Sequence, residues 1–488
     1  MVNEISSGGL KQYNTYNKSR NVTLTHPHPL PLERWNLVQL LQRSEQPSGG
    51  SALAMRSKVS GKELREEKLF VTDTNSLDTS VRNTKQDSVA TNSTFEVKTL
   101  PRYILYDVNP LEGFNLRRDV YMRYAVLARH LQQNGDNWRL VLPPWGNLYH
   151  WQSRDVGSQT QLPWSLFFDI PSLQEFAPVL EMHSFFQEYK KTVFDQVFVL
   201  QHFKDSFENG IWEEKFEIQN CPTQLPYRYS TRDGLFWGYS NMSAQRVQCL
   251  SFHGRVSQLE TVLRQHCSGV RTVVFDHAEV ALHDTFGDRM YWNARRSMRF
   301  NLDLHELAAQ FRREYLNSTD EVDGTVREYN WTIETPMEGT RGGPFLSVHL
   351  RRKDFLWGRA KDIPSLKFAS VQIEKLLRGL ALVKAFIATD APQEEFEELQ
   401  SYLPKYQLFR YTPSKTVKEK YKDGGVAIID QIICSHARYF IGTYESTFSF
   451  RIQEEREILG FPPHTTFNRL CGDYQDVCTP PSKWRIVY

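Results

Sequence analysis

Residues 102–145 read RYILYDVNPLEGFNLRRDVYMRYAVLARHLQQNGDNWRLVLPPW. The stretch opens on an apolar strand, RYILYDVN. From Asn115 onward the apolar positions Leu116, Val120, Tyr124, Leu127 and Leu131 recur at the spacing of one helix face. A second strand, WRLVLPPW, follows, so the segment is a β-α-β unit. Such units build parallel sheets, and parallel sheets take ligands at the carboxyl ends of their strands.

Outward from that unit the alternation continues. DQVFVLQHF at 195–203 and VRTVVFDHA at 270–278 read as strands, and Leu304, Leu307, Phe311 and Tyr315 mark a helix. A polar stretch with Asn317, Asp320, Glu321, Asp323 and Gly324 then leads to Gly-Gly-Pro at 342–344, which places a domain boundary nearby. Beyond it FLSVHL, KAFIATDA, YQLFRYT and ARYFIGT are strands too continuously apolar to have a wet face. Helical stretches such as PQEEFEELQSYL and GGVAIIDQIICSHA separate them. The expected class is therefore α/β, with two doubly wound domains, 101–335 and 336–488, facing a cleft. Residues 1–100 are rich in Ser, Thr, Asn, Gly, Lys and Glu without a sustained apolar period, and read as a mostly disordered extension.

Composition removes some functions. Lys+Arg 59 against Asp+Glu 57 leaves a formal charge of +2, so no global field favours nucleic acid or an acidic membrane surface. No apolar run reaches the ~18 residues that span a bilayer, and MVNEISSGGLKQYNTYNKSR has no apolar signal-peptide core. The 6 cysteines carry no metal-ligand spacing. A bridge between Cys471 and Cys478 would pin a C-terminal loop, and Cys434, in AIIDQIICSHA, reads as a small buried hydrophobe. Asn-x-Ser/Thr sequons stand at Asn17, Asn21, Asn92, Asn241, Asn317 and Asn330; the last three lie within the folded part and are the glycosylation candidates.

Three turns carry possible chemistry. Asn109-Pro110-Leu111-Glu112-Gly113-Phe114-Asn115 joins a strand to a helix, where Gly permits close approach and free N–H groups suit an anion; Glu112 there is a base or a cap. His349-Leu350-Arg351-Arg352-Lys353-Asp354 puts cations at a strand end, either as a pyrophosphate clamp or as ion pairs to Asp354 or Asp362. Gly442-Thr443-Tyr444-Glu445-Ser446-Thr447-Phe448-Ser449 is a hydroxyl-rich turn that cradles phosphate or caps a helix. Asp430, in the preceding helix, is a candidate acceptor for a base or ribose. No Asp-x-Asp metal clamp occurs, so no metal or other cofactor is expected.

The motifs YDVNPLEGFN, VLPPWGNLYHWQS, HLRRKDFLWG, FIATDA, DGGVAIIDQ and STFSFRIQEEREILG, in this order across residues 101–488, resemble the GDP-fucose protein O-fucosyltransferases, in the branch that acts on thrombospondin type 1 repeats. The resemblance implies a GT-B architecture of two Rossmann-like domains, GDP-fucose as donor, inverting metal-independent transfer to Ser/Thr hydroxyls of the folded repeats, and a home in the endoplasmic reticulum lumen. It implies Glu112 as catalytic base and Arg351 as the group that steadies the diphosphate. Leu111, Gly113, Phe114, Asn115, His349, Leu350, Asp430, Thr447 and Phe448 would join them in the donor site. It also implies Cys471–Cys478 and Cys221–Cys249 bridges. Leu111 departs from the pattern, which usually has a second proline there. Two rival readings stand beside it: transfer to epidermal-growth-factor-like repeats, and a non-catalytic folding factor for repeat domains.

Overall fold

The computed structural model describes residues 100–488 apart from 111, 147, 204–212, 222–235, 240–241, 474 and 476. The expected N-terminal extension, Leu111 and Asn241 lie outside the described residues.

The opening unit forms as its pattern dictates. Strand β1 (Arg102–Tyr106) leads into helix α1 (Phe114–Gln133) and returns as β2 (Trp138–Leu142), parallel to β1 with Ile104 opposite Leu140. Tyr103, Ile104, Leu105 and Tyr106 are all buried because β1 lies inside the sheet, between β2 and β7 (Thr272–Asp276). With β3 (Val179–Glu181), β4 (Val193–Gln201), β5 (Lys215–Gln219) and β6 (Ser243–His253), the strands form a seven-stranded sheet in the order β3-β2-β1-β7-β4-β6-β5.

Two features depart from the sequence reading. β6 and its antiparallel partner β5 were not anticipated, because SAQRVQCLSFH and KFEIQ carry polar residues that break any apolar run. The sheet is therefore mixed, with an antiparallel edge. The strand expected at 270–278 ends at Asp276, since His277 turns the chain at φ 54°.

Helices α2 (Arg289–Ser297) and α3 (Leu302–Leu316) follow. The second sheet is four-stranded and parallel, ordered β10-β9-β8-β11, from β8 (Gly343–Leu350), β9 (Lys384–Thr389), β10 (Gln407–Phe409) and β11 (Ala437–Ile441). Its strands alternate with α4 (Phe355–Gly358), α5 (Leu366–Gly379), α6 (Gln393–Ser401), α7 (Lys415–Ser435) and α8 (Thr447–Ile458). One apolar cluster runs from Ile104 and Tyr106 through Leu304 on α3 to Ile428 on α7 and Phe440 on β11, so both sheets share a core. Helix α8 is buried from Arg451 to Ile458 despite its charges: Arg295 meets Glu454 and Glu455 at 2.7 and 2.8 Å, and Arg451 meets Asp119 of α1 at 3.4 Å.

Cys221 bonds to Cys249 of β6, and Cys471 to Cys478, while Cys267 and Cys434 are free and buried. The exposed Asn317 closes α3 at φ 52°, and the exposed Asn330 accepts from the Thr332 N–H at 2.9 Å. Among the described residues no helix is long and apolar enough to cross a membrane.

Candidate active site

Parallel strands end on one edge, and the loops leaving that edge build the site. After β1 the turn at 109–112 closes through the Glu112 N–H donating to the Asn109 carbonyl at 2.9 Å, while Arg117 Nε donates to the Glu112 carbonyl at 3.0 Å. The backbone of Glu112 is thus held from both sides. Burial lowers Arg117 to about 10, against the charges of Glu279 and Glu112. Helix α1 starts at Phe114 with Gly113 as an extended N-cap and no side-chain cap, so its first N–H groups and positive dipole end suit an anionic ligand.

The predicted residues of this turn divide their tasks. The Phe114 ring is buried 4.6 Å from Trp145 and packs beside Trp151, Phe167 and Phe168, so its ring anchors the helix start. Asn115 Oδ1 accepts from Arg118 at 3.2 Å and from Gln431 of α7 at 2.9 Å, and Arg118 also donates to Gln431 at 2.9 Å. At Gly113 a Cβ would lie 3.2 Å from His150 Nε2, so any side chain there would press the imidazole back by a few tenths of an ångström.

The second sheet supplies the facing set. Arg351 follows β8, Asp390 follows β9 and Thr443 follows β11, all on the same edge. The Arg351 N–H donates to Thr443 Oγ1 at 3.0 Å, and that hydroxyl donates to the His349 carbonyl at 2.7 Å, so the main chain carrying Arg351 is fixed. Its guanidinium binds Asp390 at 2.7 Å, pairs with Asp354, and donates from Nη2 to His150 Nδ1 at 3.0 Å. An arginine has only donors, so His150 must accept there, which requires a neutral imidazole with its proton on Nε2. Burial and then the charge of Arg351 push His150 down to about 4, in agreement.

His349 stacks on Phe448 with ring centroids 4.4 Å apart, and its Nδ1 lies 2.8 Å from Ser449 Oγ. Ser449 Oγ already accepts the Thr443 N–H at 3.0 Å, leaving its hydrogen for His349 and favouring the Nε2–H tautomer. Burial, then Arg351, pushes His349 down to about 3. Leu350 is buried, its carbonyl accepting from Thr389 Oγ1 at 2.6 Å. Thr447 opens α8, whose N-cap Ser446 makes no side-chain cap. Asp430 belongs with Arg410 and Tyr411 at the end of β10. Its Oδ1 is buried without a hydrogen-bond partner, and burial, offset by Arg410, pushes its carboxyl up to about 8.

The ion-pair reading of the cationic strand end holds in part. Arg351 pairs with Asp354 as anticipated, yet its second carboxylate is Asp390, because Asp362 faces Arg469 at 3.8 Å. The buried Arg352 points elsewhere, into a pair with the half-buried Glu395 at 2.7 Å. Sequence reasoning missed His150 and Asp390, and read Thr443 and Ser449 only as hydroxyls of a turn that cradles phosphate or caps a helix. His150 sits inside the quoted VLPPWGNLYHWQS, but nothing in its spacing marks it. The ring of His150 joins the two edges: its Nε2 lies against Gly113, next to Glu112, and its Nδ1 holds Arg351.

A family model described as GDP-fucose protein O-fucosyltransferase matches residues 103–459. The chain is 49% identical over 391 residues to GDP-fucose protein O-fucosyltransferase 2 of Homo sapiens, covering 79% of this chain and 90% of that protein. It is 43% identical over 401 residues to the protein of the same name from Caenorhabditis elegans, covering 81% and 92%. The crystal structure of POFUT1 in complex with GDP-fucose has the same fold, with a TM-score of 0.50 at 16% identity over 77% of this chain and 99% of that one. By its matched length and its identity to these relatives, the chain belongs to the GDP-fucose protein O-fucosyltransferase family and is a glycosyltransferase.

Proposed function

We propose that this chain moves fucose from GDP-fucose to a Ser or Thr hydroxyl of folded thrombospondin type 1 repeats, with inversion at the anomeric carbon and without a metal or other cofactor. The observation that carries the reading is the His150 junction, which ties the Glu112 turn of one sheet to Arg351 of the other. In the GT-B arrangement this implies, residues 101–335 carry the base and the acceptor side, residues 336–488 hold GDP-fucose, and the two face a cleft.

The step is a single displacement. The acceptor oxygen attacks the anomeric carbon, its proton passes to the Glu112 carboxylate, and the bond to the β-phosphate oxygen breaks with its electron pair leaving on GDP. Arg351 stabilises that charge. Its pairing with Asp354, whose side chain is 42% exposed, is the contact a phosphate displaces, while Asp390 at 2.7 Å keeps the guanidinium aimed. The guanidinium thus supplies the positive charge that a metal supplies elsewhere. Neutral His349 and His150 offer Nε2–H donors without adding charge, the uncapped start of α1 takes further phosphate or sugar oxygens, and Asp430 accepts from guanine or ribose. The two disulfides fit an oxidising compartment, and we place the protein in the endoplasmic reticulum lumen.

The test is mass spectrometry of a folded thrombospondin repeat incubated with the protein, GDP-fucose and EDTA. A gain of one deoxyhexose is expected, and nuclear magnetic resonance of the product should show the anomeric configuration opposite to that of the donor. An unmodified repeat rejects the acceptor, and transfer abolished by EDTA but restored by a divalent cation rejects the metal-free step.

A further inference from the structure

Beside Arg351 the chain displays an aromatic side chain that the fold does not use. Trp357, on the single-turn helix α4, is 89% exposed. Its helix is anchored to the site: Asp354, at its N-cap, pairs with Arg351, and the Arg351 guanidinium lies 5.5 Å over the Phe355 ring. Across His150, the ring of Tyr149 packs on the imidazole at 3.6 Å between centroids and is 44% exposed. Tyr149 also feels the charges of Asp354, Arg351, Glu112 and Asp390, so it borders the same site. Lys353 and Lys361, on either side of Trp357, are exposed and have no ion-pair partner among the described residues.

We propose that Trp357 and Tyr149 form the rim on which the protein acceptor docks, with Trp357 taking an apolar side chain of the acceptor and Lys353 and Lys361 its acidic groups. The inference rests on the reading above, since it needs the transfer to occur at Glu112 and Arg351. An acceptor hydroxyl that reaches this site must bring the surrounding protein surface against the segment carrying Trp357. Aromatic residues at the centre of such contacts dominate binding energy, because a large rigid area is buried at little entropic cost. An indole left in solvent contributes nothing to the monomer's stability, so its contribution appears on association.

The experiment is steady-state transfer to a folded thrombospondin repeat by the full chain and its Trp357→Ala and Trp357→Phe variants. Trp357→Ala is expected to raise the KM for the repeat about tenfold, with kcat and the KM for GDP-fucose within about twofold and an unchanged melting temperature. Trp357→Phe should recover most of the loss. An unchanged acceptor KM in Trp357→Ala overturns the rim, as does a loss confined to the KM for GDP-fucose, which would move Trp357 to the donor. A wild-type chain inactive on the repeat overturns the acceptor reading instead, so the two failures are told apart by the wild-type control.

Discussion

Glu112 and Arg351 divide the proposed displacement between them, and their loss should read differently. The turn that holds Glu112 is built from backbone hydrogen bonds, so Glu112→Ala is expected to fold normally while transfer falls by roughly 10² to 10⁴. Arg351→Ala should cost on the order of 3 kcal/mol of transition-state stabilisation, roughly a hundredfold in rate, and also leaves His150 and Asp390 without their partner. Circular dichroism and turnover of the purified variants check both; near-normal turnover in either one rejects its role. Asp430 makes a separate prediction. Its carboxyl is raised to about 8 by burial, so folding favours the protonated form, and stability present below its unfolded value near 4 is lost as pH rises through about 8. Asp430→Asn should therefore stabilise the ligand-free protein by roughly 1–3 kcal/mol at pH 8, with little gain near pH 4, and weaken GDP binding about tenfold. Thermal melts at both pH values and GDP calorimetry decide it. Glu112, Arg351 and Asp430 were all legible as candidate chemistry, because charged groups in strand-end turns, or within an apolar helix as at Asp430, stand out. His150 was not, since an imidazole in a loop gains its meaning only from Gly113 and Arg351, which are distant in the chain.

The elements that hold His150 are a loop and an interrupted helix. Residues 148–162 leave β2 and lie on α7, where Asp423 Oδ2 accepts from the Ser153 N–H at 3.0 Å and from Gln159 Nε2 at 3.0 Å. Lys418 pairs with Asp155 at 3.0 Å, and Lys422 donates to the Val156 carbonyl. Lys422 breaks the helical geometry of α7 at φ 59° and ψ −168°, which costs on the order of 1–3 kcal/mol and turns Asp423 toward the loop. At Gly424 a Cβ would come within 2.7 Å of Trp151, so the loop rests directly on the helix backbone. Asp423→Ala removes the oxygen that accepts both bonds. Transfer at saturating GDP-fucose should fall about tenfold, more than the modest drop in melting temperature explains, and Asp423→Asn should restore part of it. Unchanged turnover would separate the loop from the site. The sequence placed a helix from Gly424 onward, and that part forms. It did not reveal that the helix begins at Lys415 or breaks at Lys422, because lysine has no intrinsic preference for that conformation and only the contacts to the loop maintain it.

At the scale of the molecule, buried and half-buried neutral histidines make the fold sensitive to acid. His150 and His305 are pushed down to about 4, and His349 and His436 to about 3, in each case chiefly by burial. Their folded values lie below the unfolded value of 6.5, so this stability is fully present above pH 6.5 and is lost as pH falls toward 4. Melting temperature should drop by roughly 10 °C between pH 7 and pH 5; a flat profile would show that these imidazoles are not buried as described. The mutual arrangement of the two halves depends on charge in the same way. Glu454 and Glu455 of α8 meet Arg295 of α2 and Arg327 in a buried network that STFSFRIQEEREILG, read alone, presents only as an ordinary charged helix. What the sequence by itself determined was the parallel β-α alternation and the strand-end turns, because apolar periodicity and Gly-rich turns act over a few residues. The mixed edge formed by β5 and β6, the pairing of Arg351 with Asp390 and His150, the break in α7 and the seat of His150 were decided only by tertiary structure. Each of these depends on groups far apart in the chain coming into contact, and no local preference encodes such a contact.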